Sequence, residues 1–79
     1  MQALKIDKNF QSLISPLTDE EYAGLEMNII DNGCLDPLKT WNGFIVDGHH
    51  RYSICQNHNI PFDSIAMPFA SKLEAEIWI

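Results

Sequence analysis

Apolar and polar positions along this chain change period several times. Tyr22, Leu25 and Ile29 recur at helical spacing, with Ala23, Met27 and Ile30 widening the stripe, which predicts a helix after Thr18. Thr18-Asp19-Glu20-Glu21 reads as a capping box: the Thr18 hydroxyl accepts from the backbone three residues on, and Glu21 reaches back. Asn32-Gly33 stops that helix. Leu38 to Trp41 and Phe44 to Val46 flank Asn42-Gly43, a strong two-residue hairpin signal, and so predict two antiparallel strands. Gly48 to about His58 reads as a second helix with Tyr52, Ile54 and Cys55 on its buried side, ended by Asn59-Ile60-Pro61. Ser64 to Phe69 reads as a further strand, with Pro68 marking an edge or its end. Ser71-Lys72-Leu73-Glu74 is a second capping box, opening a terminal helix. At the start of the chain, Leu4 to Ile6 and Phe10 to Ile14 are apolar runs divided by Asp7-Lys8-Asn9, each expected as a strand or an extended arm.

The order strand, helix, hairpin, helix, strand, helix predicts an α+β fold. A small mixed β-sheet carries about three packed helices, in a single domain over residues 1–79. A chain of this size buries only about two thirds or less of its unfolded surface, so its core alone gives marginal stability. The closing run Glu74 to Ile79 is apolar and helical with no stop signal. Two readings follow from it: a piece of a longer protein, or a terminal helix that docks or pairs in a homodimer.

The net charge of −6, with acids gathered from Asp19 to Glu26, excludes a broad basic face for DNA. It leaves room for a compact phosphate site, because a helix N-terminus and one cation can serve a single anion. No apolar run reaches the ~18 residues of a membrane span and no signal peptide is present, so a cytoplasmic chain without a membrane partner is expected. Cys34 and Cys55 each sit in an apolar pattern, and are expected as reduced core residues rather than a disulfide or metal ligands.

The chemistry concentrates at Asp47-Gly48-His49-His50-Arg51. An apolar strand runs through glycine straight into a helix, whose first turn leaves backbone N–H groups unpartnered and forms an anion pocket. Arg51 is the only arginine, and its fork suits phosphate oxygens; an ion pair with Asp47 or Glu21 is the alternative. Gly48 either admits a ligand or simply allows the tight junction. His49 and His50 project about 100° apart, so one is expected to line the pocket while the other bonds to the fold. The pair lacks the i, i+4 spacing of a zinc site and His58 lies too far along the helix, so no protein-bound metal is expected; Mg²⁺ carried in by a nucleotide could touch Asp47. Trp41 and Tyr52 either stack on a ligand ring or belong to the core.

These residues, together with Gly33-Cys34-Leu35-Asp36-Pro37-Leu38 entering a strand and the hairpin that follows, resemble the ParB/sulfiredoxin superfamily over nearly the whole chain. ParB chromosome-partitioning proteins use this domain as a CTP-binding clamp with a Gly-x-x-Arg-Arg-type loop on the phosphates. Gly48 and Arg51 match that loop, while Ser53 stands where another arginine is frequent. Sulfiredoxins carry a reactive cysteine at the position of His49, which removes reductase chemistry here. ADP-dependent free-serine kinases carry Asp-Gly-His-His-Arg, matched letter for letter by Asp47 to Arg51, but their glutamate base before the first helix is replaced by Thr18, beside Asp19 and Glu20. The resemblance implies a nucleotide- or phosphate-binding module of a DNA-associated, partition-type regulatory protein. Gly48, His49, His50 and Arg51 would hold CTP, ATP or ADP with Mg²⁺, or a phosphorylated small molecule. DNA would be met only through a further domain beyond residue 79. The rival reading is a phosphotransferase with Asp47 and His50 as catalytic residues, Asp19 being a second candidate to orient the nucleophile. A third is a degenerate interaction module without a ligand.

Overall fold

In the computed structural model, which describes residues 4–79, the hairpin forms as expected. β1 (Leu38–Trp41) and β2 (Phe44–Asp47) pair antiparallel through Asn42 and Gly43, both at positive φ (50° and 80°), the geometry that an Asn-Gly hairpin turn requires. β3 (Ser64–Ala66) lies parallel to β1 on its other side, giving a three-stranded mixed sheet of order β2-β1-β3. Thr40 faces Ile45 but Lys39 faces Asp47, so Val46 is the extra residue of a bulge. The bulge breaks the in–out alternation, leaving Ile45 and Val46 both buried. It also sets Asp47 beside Lys39 at the end of the strand.

Among the described residues four helices accompany the sheet, against about three expected: α1 (Lys8–Ser12), α2 (Asp19–Asn32), α3 (His49–His58) and α4 (Lys72–Trp78). The extra one corrects the reading of Phe10 to Ile14 as extended. Asp7 caps α1 by accepting from the N–H groups of Asn9 and Phe10 (2.8 and 3.2 Å), which turns the polar divider into a helix start. The segment before it is extended: Lys5 donates to the Gly43 carbonyl (2.9 Å) and accepts from the Ile45 N–H (3.0 Å), a single parallel bridge beside β2.

The Thr18 capping box opens α2 with both reciprocal bonds, at 3.1 Å each. The Ser71 box is only half made. Ser71 accepts from the Glu74 N–H (3.3 Å), while the Glu74 carboxylate takes the N–H of Ala70 instead (3.2 Å). Ala23, Met27 and Ile30 are exposed, so they do not widen the α2 stripe as expected; Ile29 is the buried residue, with Tyr22 and Leu25 packed near it. β3 ends at Ala66, short of the expected Phe69.

The core divides into two clusters. Phe10, Val46 and Ala75 form one, with Trp41, Phe44, Met67 and Phe69 around them. Ile29, Ile54 and Cys55 form the other, reinforced by Leu25, Cys34, Ile60 and Phe62. Both cysteines are free thiols, and burial, helped by a hydrogen bond with Cys34, pushes the Cys55 thiol up to about 11. α4 docks through Ala75, leaving Leu73 and Ile77 exposed. Among the described residues no helix is long and apolar enough to cross a membrane.

Candidate anion site at the head of α3

β2 delivers the chain into α3 through a single residue. Gly48 is the N-cap, at φ 104°, and it provides no side chain to cap the helix. The first intrahelical bond runs from the Tyr52 N–H to the Gly48 carbonyl (2.8 Å), so the N–H groups of His49, His50 and Arg51 precede it without an intrahelical acceptor. A Cβ on Gly48 would run into the buried Leu38 side chain and come within 3.0 Å of Arg51 Nη2 and 3.3 Å of its Nε. The guanidinium therefore lies close over the glycine, which is a packing requirement as well as a conformational one.

Arg51 is held from two directions. Nη2 meets the Asp47 carboxylate at 3.1 Å, and Nη1 approaches Asp36 at 3.7 Å. The first partner was expected; the second was not, because Asp36 sits in the loop before β1 and no sequence spacing joins it to the α3 head. Glu21, the other expected partner, is taken up by its capping box. Asp47 also faces Lys39 at 3.8 Å. Arg51 Nε, by contrast, is buried and has no partner among the described residues.

The histidines differ from expectation in that both line the same cavity. His49 is 7% exposed, yet neither its Nδ1 nor its Nε2 has a hydrogen-bond partner, and Nε2 of His50 is likewise buried and unpartnered. The His50 ring meets Tyr22 edge-on, with centroids 6.3 Å apart. Buried unpartnered donors and acceptors cost about 1–3 kcal/mol each, so their clustering in three successive residues is physically conspicuous.

The cavity measures about 400 Å³, within the usual range for small-molecule sites. Its lining combines the polar run Asp47 to Arg51 with apolar side chains of Ile14, Leu17, Leu25, Val46, Trp78 and Ile79. A second cavity of about 290 Å³ shares His49 and His50 and is bordered by Gln11, Tyr22 and Ser53.

Neither Trp41 nor Tyr52 reaches the main cavity. Trp41 donates to the Phe69 carbonyl (2.9 Å) and meets Phe10 edge-on; Tyr52 donates to the Leu4 carbonyl (3.3 Å) and packs on Phe62. Trp78, which no local signal marks, is the tryptophan that lines the cavity. His58 pairs with Glu26 at 2.9 Å and ties the far end of α3 to α2. No group of three or more His, Cys, Asp or Glu side chains among the described residues is placed to hold a metal ion.

Burial first, and the adjacent His50 second, push His49 below its ordinary pKa of 6.5, against an opposing pull from Asp47. The unfolded chain therefore takes up a proton below pH 6.5 that the folded chain resists. Stability is unaffected by this group above that pH and falls as the pH drops through the window below it. Urea unfolding midpoints should hold level above about pH 6.5 and decline as the pH falls below it, and His49→Leu should make the decline shallower. An equal slope in the variant would show that His49 titrates normally.

Comparison with protein-family models, with curated proteins and with solved structures finds no match for this chain.

Proposed function

We propose that this chain is a ParB-like module that captures a phosphate-bearing ligand at the head of α3. The observation that carries the reading is the cluster of buried, unpartnered nitrogens on His49, His50 and Arg51, three residues that border a cavity at the uncapped start of a ten-residue helix. An anion there would accept from the first-turn N–H groups, from Arg51 Nε and from the imidazoles, and would face the positive end of the helix dipole. A bound anion would favour the protonated form of His49, opposing the burial that holds its pKa down.

The resemblance of Asp47 to Arg51 to nucleotide-handling members of the ParB/sulfiredoxin superfamily points the same way, and makes CTP, ATP or ADP the first ligands to test. Asp47 is already held by Arg51 and Lys39, so the donor set does not build a resident metal site. Any Mg²⁺ would arrive on the phosphates. With a net charge of −6, the chain would engage DNA only through a further domain, as a partition-type regulator would.

Thermal unfolding with inorganic phosphate, ADP, ATP and CTP tests this. A ligand at a hundred times its Kd adds about 2.7 kcal/mol, hence a rise of roughly 10–20 °C in Tm for a domain this small. Arg51→Ala should remove the rise. No shift with any of the four would overturn the proposal and leave an interaction module without a ligand.

One observation favours a phosphotransferase as the second reading: Asp47 and His50, the candidate base and its partner, line one cavity. Consumption of ADP or ATP when a small hydroxyl compound is present would establish it, and binding without turnover would exclude it.

A further inference from the structure

The chain's two thiols meet in the second core cluster, away from the chemistry assigned to the head of α3. Cys34 follows Gly33, the C-cap of α2, and packs against the cluster of Ile29, Ile54 and Cys55. Its thiol donates to the Asp36 carbonyl at 3.6 Å, which leaves the sulfur free to accept from Cys55, and the two cysteine side chains are hydrogen-bonded to one another. The same loop meets α3 a second time, where Asp36 approaches Arg51 at 3.7 Å. Arg51 and Cys55 lie about one turn apart on a single face of α3, so both contacts hold the 34–36 segment along that face. The two thiols differ in access. Cys55 is 1% exposed, whereas Cys34 is half-buried and is followed by the exposed Leu35 and Asp36. Solvent reaches one member of the pair.

We infer that Cys34 and Cys55 form a thiol–disulfide exchange site, in which Cys34 reacts with a low-molecular-weight disulfide such as oxidised glutathione and Cys55 then closes an intramolecular Cys34–Cys55 bond. In the first step the Cys34 thiolate attacks one sulfur of the incoming disulfide. That S–S bond breaks, and one half leaves with the electron pair and takes up a proton. In the second step Cys55 gives its proton to solvent and attacks the Cys34 sulfur, expelling the other half, which also leaves as a thiol. The protein pair has lost two electrons and two protons, and the external disulfide has gained both. Burial and the hydrogen bond with Cys34 push the Cys55 thiol up to about 11, which keeps it from attacking first. The ring so closed contains β1, β2 and the first turn of α3, and it fastens the exit of α2 to the middle of α3. It restricts the unfolded chain far more than the folded one, whose two sulfurs are already neighbours. The inference does not depend on the anion site.

Treatment of the whole 79-residue chain with oxidised glutathione, followed by alkylation in denaturant and intact-mass measurement, tests this. The product should be a monomer two hydrogens lighter, with no alkyl group and no retained glutathione, and dithiothreitol should restore both thiols. Its Tm should lie roughly 10–20 °C above that of the reduced chain. Cys55→Ala should stop at one glutathione per chain, held on Cys34. Cys34→Ala should acquire glutathione at least ten-fold more slowly, a contrast that two thiols serving only to fill the core would not produce. Two alkylatable thiols after treatment, glutathione retained on the unsubstituted chain, a disulfide joining two chains, or a lower Tm after oxidation would each overturn the inference. Equal rates in the two variants would overturn the order of attack. Should either variant fail to fold, the mass and Tm of the unsubstituted chain decide alone.

Discussion

Gly48→Ala is expected to destabilise the protein by about 3 kcal/mol, the sum of a left-handed backbone penalty of roughly 1–2 kcal/mol and an overpacking cost of similar size. Gly48 holds φ 104°, and the added methyl would meet Leu38, which is completely buried and has nowhere to retreat. At about 4–8 °C per kcal/mol in a domain this small, Tm should fall by roughly 12–24 °C. Gly43→Ala provides the comparison. Gly43 also has positive φ, but open space surrounds it, so that variant should lose only the backbone penalty, about 1 kcal/mol. Equal losses in the two variants would show that the close approach of Leu38 and Arg51 to Gly48 carries no energy. Where Gly48→Ala still folds, the methyl displaces the guanidinium, and ligand-induced stabilisation should shrink with it.

Phe10→Ala should cost more, about 3–5 kcal/mol, because it removes a wholly buried aromatic ring from the centre of one of the two core clusters. Phe10 touches three parts of the molecule at once. Its ring meets Trp41 of β1 edge-on at 6.3 Å, lies under the Lys72 ammonium at 5.8 Å, and packs with Val46 of β2 and Ala75 of α4. Lys72 also pairs with Asp7, the cap of α1, at 3.2 Å. Loss of the ring thus loosens α1 and α4 together; α4 supplies a cavity wall through Trp78, and Ile14, just past the end of α1, supplies another. Denaturant unfolding measures the loss, and Phe10→Leu should restore most of it. A cost under about 1 kcal/mol would mean that α1 is only loosely attached.

Elements with short-range grammar were readable directly. The Thr18 box, the Asn42-Gly43 turn and the passage from β2 through Gly48 into α3 each declare themselves within a few residues, and each is where the sequence places it. α1 escaped because five residues carry no periodicity; only Asp7 marks it, and an apolar run containing Phe10, Leu13 and Ile14 looks equally like a strand. Met27 and Ile30 obey the helical period of α2 and yet face outward, since period alone cannot say how wide the packed stripe is. The polar lining residues of the cavity were legible because they are contiguous in sequence. Asp36 beside Arg51, and the wall of Ile14, Leu17, Leu25 and Trp78, are products of tertiary packing, and no local signal announces them.

The parallel pairing of β1 with β3 has a consequence for the order of assembly. The β1–β2 hairpin closes over two residues and can form in about 1–10 μs. Joining Leu38 to Ser64, or Lys5 to Phe44, needs far larger loops, whose closure entropy is met before any contact repays it. α3 lies inside the first of these loops, and the cavity walls come from both outer ends of the chain. The hairpin is therefore the one strand pairing that needs no long loop closed before it forms. Ligand affinity should be the last property to appear as the chain folds from a denatured state, trailing the helical signal by the time taken to seat α1 and α4.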